Sequence, residues 1–277
     1  MRSLRSLFCV RPQLMRHVMR QLQQTTTRMR LQVPDALEIP HGATILWRYM
    51  SHTKFQDLVQ RRALYFANAS RLSDQYEVSI PQSTNRKERR DLERAGLSSD
   101  EVDQRLRRFL WVRNPDKDLT LLSCWTTRRS ESYAFWKIYV GKDTLGVAVR
   151  TTVARLKRAL SLGADPIPED FFMGRVRYRT FLSDSELTRY HVICTKKPFY
   201  DFESELRVFL LHYSAAGARN APYDVSQGRH VNVALDELVT RVVVSPFTQP
   251  AYRTEVATLL REAQLGSDVV TSDILDQ

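Results

Sequence analysis

Apolar and polar positions alternate in short runs along this chain, and stretches with a helical period lie between them. Ile45–Met50 (Ile-Leu-Trp-Arg-Tyr-Met) predicts a first strand. Ser51 can cap a helix in which Phe55, Leu58 and Val59 form an i, i+3, i+4 stripe. Leu64–Ala67 predicts a second strand, and the turn 69–74 leads from it to Glu77. Further strands are expected over Leu119–Trp125, Leu145–Arg150, Val176–Tyr178, Phe202–Leu211 and Val239–Val244. Helices are expected over Glu131–Tyr139, from Val153 through Leu160 with Thr151 or Thr152 as cap, and over Tyr252–Gln264, ended by Gly266. The segment 186–195 fits neither period.

Residues 82–108 break the pattern. They are dense in both signs of charge, divide at Ala95-Gly96, and carry Ser98 and Glu101 at capping-box spacing. A solvated helical hairpin inserted into a sheet accounts for them. Strands and helices mix without regular βαβ alternation, which predicts an α+β class. The sheet is expected to be mixed or antiparallel and split, with flanking helices. The expected core comprises Leu46, Phe55, Leu58, Phe66, Val147, Val149, Val208, Leu210, Val242 and Val244.

Composition changes the picture mainly at the N-terminus. The 277 residues are 43% hydrophobic and carry a net charge of +11. Seven arginines and no acid fall within residues 1–34; without them, 35 of the 42 bases face 31 acids, a balance of +4. Residues 1–39 are therefore expected to form a basic, disordered extension, and 40–277 a single domain with the helical insertion. The arm could contact nucleic acid or a membrane surface, or act as a transit peptide. Its apolar run Leu7–Val10 is too short for a secretory signal, and no run approaches the ~18–20 apolar residues of a membrane span. Cys9, Cys124 and Cys194 are odd in number and lack zinc spacing, which suits a reducing cytoplasm.

The densest chemistry lies in the 202–211 segment. Read as one strand, it puts Glu203, Glu205 and Arg207 on one face and Leu206, Val208 and Leu210 on the other. Carboxylates about 7 Å apart on one pleat repel unless something uses them. Arg48 lies on an upstream strand and Ser123 on another, so the chain order is Arg, Ser, Glu-x-Glu.

Leu46–Tyr49, Leu64–Glu77, Ser123-Cys124-Trp125, Ser132–Tyr139, Gly146–Arg150 and Glu203–Arg207 together resemble an uncharacterised family widespread in bacteria, the domain of unknown function 2971, over roughly residues 44–275. That resemblance implies a bacterial protein and no particular biochemistry. The Arg/Ser/Glu-x-Glu order also resembles ADP-ribosyltransferase-like folds, although Ser123-Cys124-Trp125 stands where Ser-Thr-Ser is common. This second likeness implies a transferase with NAD as substrate. Glu205 would stabilise the oxocarbenium charge, Glu203 would face the acceptor, and Ser123 would support Glu205. Arg48 would grip phosphate or ribose oxygen, while Tyr139, Trp125 or Trp136 would stack on a base.

Other readings use other residues. Asp74, Glu77, Glu203 and Glu205 could hold Mg²⁺ in a hydrolase. Arg150, expected at a strand end before a helix N-terminus, could bind an anion. Arg175, Arg177 and Arg179, alternating on one strand, could track nucleic acid together with the basic arm. A structural Glu–Arg lattice on a sheet face would also account for Glu205 and Arg207. The six histidines show no metal spacing and are read as surface or packing residues. No nucleophile elbow, Walker A sequence or dinucleotide fingerprint occurs.

Overall fold

The structure, a computed structural model, describes residues 31–141, 145–163, 171–212 and 224–275. The arm through residue 30 lies outside them. Twelve strands are formed among the described residues: β1 Leu31–Gln32, β2 Ile45–Ser51, β3 Ala63–Asn68, β4 Thr120–Thr126, β5 Gly146–Thr152, β6 Phe171–Arg175, β7 Arg177–Tyr178, β8 Thr195–Lys196, β9 Glu205–Leu211, β10 Arg229–Asn232, β11 Arg241–Val244 and β12 Asp268–Thr271. The helices are α1 His52–Arg61, α2 Gln82–Arg94, α3 Ser99–Arg113, α4 Tyr133–Phe135, α5 Val153–Ser161, α6 Arg189–Ile193, α7 Leu235–Leu238 and α8 Pro250–Glu262.

Ten strands build one mixed sheet, and β7 and β8 form a small second one, giving the expected α+β class. Along the main path the order is β1-β6-β9-β4-β2-β5-β11-β12. The β1–β6 and β11–β12 pairs are parallel, and the others in the large sheet are antiparallel. The sheet forks at β4. One edge of β4 pairs throughout with β9. The other meets β3 at Leu121 and Leu122 but β2 at Thr126. Between those points β2 and β3 go separate ways, and β10 continues the branch beyond β3.

All ten expected core residues are buried in the largest apolar cluster. That cluster fills one face of the sheet, with Phe55, Leu58 and Val59 from α1, Leu156 and Leu160 from α5, and Val256 and Leu260 from α8. On the opposite face Leu122, Phe209 and Leu211 of β4 and β9 join Val78 and Ile193 in a second cluster. The alternation along β4 and β9 therefore serves two interiors, which explains why β9 is buried at every position.

Several elements differ from the pattern. Leu31 and Gln32 pair with Phe171 and Phe172, and Leu37 is buried, so the fold begins before residue 40. The hairpin forms as α2 and α3 with the Ser98–Glu101 capping box. It is docked as well as solvated: Thr84 Oγ1 accepts from the Leu182 amide at 2.9 Å. Glu131–Tyr139 is not one α-helix; α4 passes into a π-helical turn, Trp136–Val140. Ser51 precedes α1 without a side-chain capping bond, whereas Thr152 caps α5 by accepting from the Arg155 amide. At the end of α8, Gln264 takes the left-handed conformation expected of Gly266. The arginine stripe is broken, because Arg175 closes β6 while Arg177 belongs to β7 in the other sheet. Arg175 pairs with Glu38, and Arg177 and Arg179 pair with Glu186.

Candidate functional site

The fork in the sheet opens into a cleft of about 1230 Å³. It is larger than the ~300–1,000 Å³ usual for small-molecule pockets, so an extended ligand has room. Its walls come from β2 (Trp47–Met50), β3, β4 and the turn carrying Asp74–Glu77. Lys196, Tyr200, Phe202, Glu203 and Glu205 line it near one another in sequence.

Glu203 reaches this site by a different route from the one expected. Residues Pro198–Glu203 form a 3₁₀ turn, and β9 begins only at Glu205. Ser204, with φ of 44°, is left-handed and breaks the apparent alternation. Glu205 and Arg207 do share one face of β9, beside Cys124 of β4.

Five charged side chains meet there. The Lys196 ammonium lies 2.7 Å from Glu77 Oε1, 2.7 Å from Glu203 Oε2 and 3.6 Å from Glu205 Oε2. Arg207 donates from Nε to Glu205 Oε1 at 2.8 Å and from Nη2 to Glu77 Oε2 at 2.8 Å. Its Nη1 donates to the Ile193 carbonyl at 2.7 Å. Arg207 is fully buried, so its charge is tolerable only with this full set of acceptors. Glu77 precedes Val78 at φ 54°, and Glu203 precedes Ser204 at φ 44°. Both close carboxylate partners of Lys196 thus stand next to a residue held in the left-handed region. Val78, being β-branched, is the more strained.

Three carboxylates against two cations leave one surplus negative charge in a poorly solvated place. The environment pulls two of the acids apart. Burial pushes Glu205 up, but the Arg207 guanidinium and the Lys196 ammonium outweigh it and hold the carboxyl at about 2. Burial lifts Glu203 above the ordinary carboxylate range despite its bond to Lys196. Burial also disfavours the Lys196 charge, yet Glu205 and Glu77 keep the ammonium above its ordinary value. Burial, reinforced by Glu205, pushes the Cys124 thiol up, so Cys124 stays protonated beside that carboxylate.

Arg48 enters the same cleft from the other face of the sheet. Its Nη1 donates to Ser123 Oγ at 2.9 Å and its Nη2 to the Tyr65 carbonyl at 3.0 Å. Trp125 Nε1 also donates to Ser123 Oγ, at 3.2 Å, and the Arg48 guanidinium lies 5.6 Å from the Trp125 ring centroid. Ser123 therefore serves Arg48 and Trp125. Because side chains alternate along β4, Cys124 is the residue beside Glu205.

Of the residues singled out in the sequence, Arg48, Trp125, Tyr139, Glu203, Glu205, Asp74 and Glu77 line the cleft. Ser123 is buried behind Arg48. Trp136 is fully buried with its Nε1 on Glu131 Oε2, and so offers no face to a ligand. Arg150 lies within β5, two residues before its end, with its guanidinium 5.8 Å from the Trp47 ring centroid and outside the lining. In the expected magnesium site, Glu77, Glu203 and Glu205 do converge, but Lys196 takes the central place among them. Among the described residues no group of three or more His, Cys, Asp or Glu side chains is arranged to hold a metal.

Sequence reasoning missed Lys196, which sits in a two-residue strand after the segment that fitted neither period. It also set aside His230. That imidazole lies 2.6 Å from Asp57 Oδ2, packs against Tyr65 and lines the cleft on the α1 side. The β10–β3 register, which places His230 opposite Tyr65, could not be read from either strand alone.

No family model matches the chain, and no curated protein matches it. Among the described residues no helix is long and apolar enough to cross a membrane.

Proposed function

We propose that the forked cleft is the active site of an NAD-using transferase of the ADP-ribosyltransferase-like kind. The observation that carries this reading is the meeting of Glu205 and Glu203 at Lys196 in a cleft that also receives Arg48, with one acid held ionised and the other lifted. Paired acids driven apart in this way suit two distinct roles.

Glu205 remains an anion and can stabilise positive charge that develops on a ribosyl carbon. As the nicotinamide–ribose bond breaks, its electron pair leaves with the nicotinamide ring nitrogen. The acceptor's lone pair forms the new bond to the ribosyl carbon. Glu203, when ionised, takes the acceptor's proton; its lifted value makes it a better base than an ordinary carboxylate. Arg48 has N–H groups beyond those given to Ser123 and Tyr65, and these can meet a phosphate. Its approach from the opposite face of the sheet suits a ligand that extends through the fork.

The direct test is incubation of the protein with NAD labelled in the adenylate half, in the presence of cell lysate, with nicotinamide release measured in parallel. Glu205→Gln is nearly isosteric and should abolish release while leaving the circular dichroism spectrum unchanged. Equal turnover by the native and Glu205→Gln proteins, or no turnover by the native protein, sinks the proposal.

A further inference from the structure

The mouth of the cleft on the carboxylate side is rimmed by exposed aromatic side chains. Tyr139, 47% exposed, and Phe202, 36% exposed, line the cleft, and Phe199, 82% exposed, stands just outside the lining. Phe202 and Tyr139 both lean on the buried Phe135 ring, at centroid distances of 6.2 and 5.4 Å, so they belong to one patch. Phe199 and Phe202 project from the same 3₁₀ turn. A monomeric surface has little reason to keep such rings in water, and contiguous ones mark interaction sites.

Cations are interleaved with these rings. Arg128 is exposed and donates from Nε to the Phe202 carbonyl at 2.9 Å. Lys197 is exposed, and its ammonium lies 4.3 Å from the centroid of Tyr76, another half-exposed ring of the cleft wall. Arg129 is exposed next to Arg128. Asp201 of the same turn and Asp74, which bonds the Tyr200 hydroxyl beside Tyr76, are the acids of this rim, against these three bases.

We propose that this rim is a docking surface for single-stranded nucleic acid, which is the acceptor of the transferase reading on which this assignment of substrate rests. Rings spaced along a basic path are what an unpaired strand requires. Each base offers a face for stacking and each phosphate a charge for Lys or Arg. A duplex would keep its bases stacked on one another and leave the rings unused. The negative floor repels phosphate but not an uncharged base, so the strand would follow the rim and turn one base inward toward Glu203.

Fluorescence anisotropy of the full chain with a fluorescein-labelled 20-nucleotide single strand, read without NAD, tests the surface separately from the chemistry. Binding should weaken steeply with salt. Phe199→Ala, at a site too exposed to matter for folding, should weaken it roughly tenfold. Lys197→Gln should reduce the slope of log affinity against log salt by about one. An unlabelled hairpin duplex should compete poorly. Absence of binding overturns the proposal, as does binding that is indifferent to both substitutions or equal affinity for the duplex. If binding behaves as expected but NAD is not turned over, the transferase reading falls and the docking surface stands. If NAD is turned over and the strand does not bind, the reverse holds.

Discussion

Arg207 turns back along its own strand to grasp Glu205, two residues earlier, with Nε at 2.8 Å from one carboxylate oxygen and Nη2 at 3.1 Å from the other. Glu77 and the Ile193 carbonyl complete the arginine's shell. Removing one partner of such a buried set strands the charges that remain. Arg207→Leu, which fills similar space without charge, should therefore cost about 3–5 kcal/mol. Urea unfolding followed by circular dichroism would measure this. A loss below about 1 kcal/mol would mean that water reaches the cluster and solvates it.

Acid should weaken the fold over a definite range. Glu205 binds its proton less readily folded, at about 2, than unfolded, at 4.5. Its contribution is present above pH 4.5 and is given up as pH falls through the folded value. Glu203 has the opposite sense: lifted by burial, it favours the fold below its unfolded value and loses that contribution as pH rises through the folded one. Stability should thus fall from about pH 4.5 toward pH 2, with an opposing bend above pH 4.5. Urea midpoints for the native and Glu205→Gln proteins between pH 2 and 7 would reveal this, with a shallower acid limb for the variant. Parallel curves would remove Glu205 from the account.

Legibility in the sequence followed the range of the interactions. The β2–α1 unit, the Ser98–Glu101 box and the ten core residues were readable, because each depends on neighbours a few positions away or on a simple burial period. The 202–211 segment misled for a local reason: Glu203-Ser204-Glu205 has strand periodicity, and nothing in a serine announces a left-handed backbone. Glu203 nevertheless reaches the cluster, since the turn returns it toward Lys196. That lysine was invisible because its three acid partners come from positions 77, 203 and 205, and no spacing rule joins them. The exchange of roles between Ser123 and Cys124 has the same origin. Sequence shows that the two occupy opposite faces of one strand, but not which face holds the carboxylates.

Ser204 supplies a test of how the site is aimed. An L-residue in the left-handed region costs about 1–2 kcal/mol, while glycine adopts it freely but loses more entropy on folding. Ser204→Gly should consequently stabilise the protein by about 0.5–1 kcal/mol. Its amide can still reach the Asp201 carbonyl, and its carbonyl can still accept from Thr127. Thermal unfolding should show a higher midpoint. A lower one would mean that the Ser204 hydroxyl, near the Asp201 carbonyl at 3.5 Å, contributes more than the backbone strain costs.

Ser123 joins two donors that would otherwise have no acceptor at that point, Arg48 Nη1 and Trp125 Nε1. Truncation to Ser123→Ala removes one oxygen and leaves both N–H groups facing a methyl group. The cost should be about 1–3 kcal/mol, more than a buried methyl-for-hydroxyl exchange would otherwise suggest. Arg48→Met alone also destabilises, through lost bonds to Ser123 and to the Tyr65 carbonyl. In the double variant the arginine donor is gone, so the alanine strands only the indole. The double variant should then lose less than the sum of the two single losses, by at least about 0.5 kcal/mol. Urea unfolding of the four proteins gives the coupling directly. Strict additivity would show that Ser123 and Arg48 are independent, and that Arg48 is held in the cleft by Tyr65 and the Trp125 ring alone.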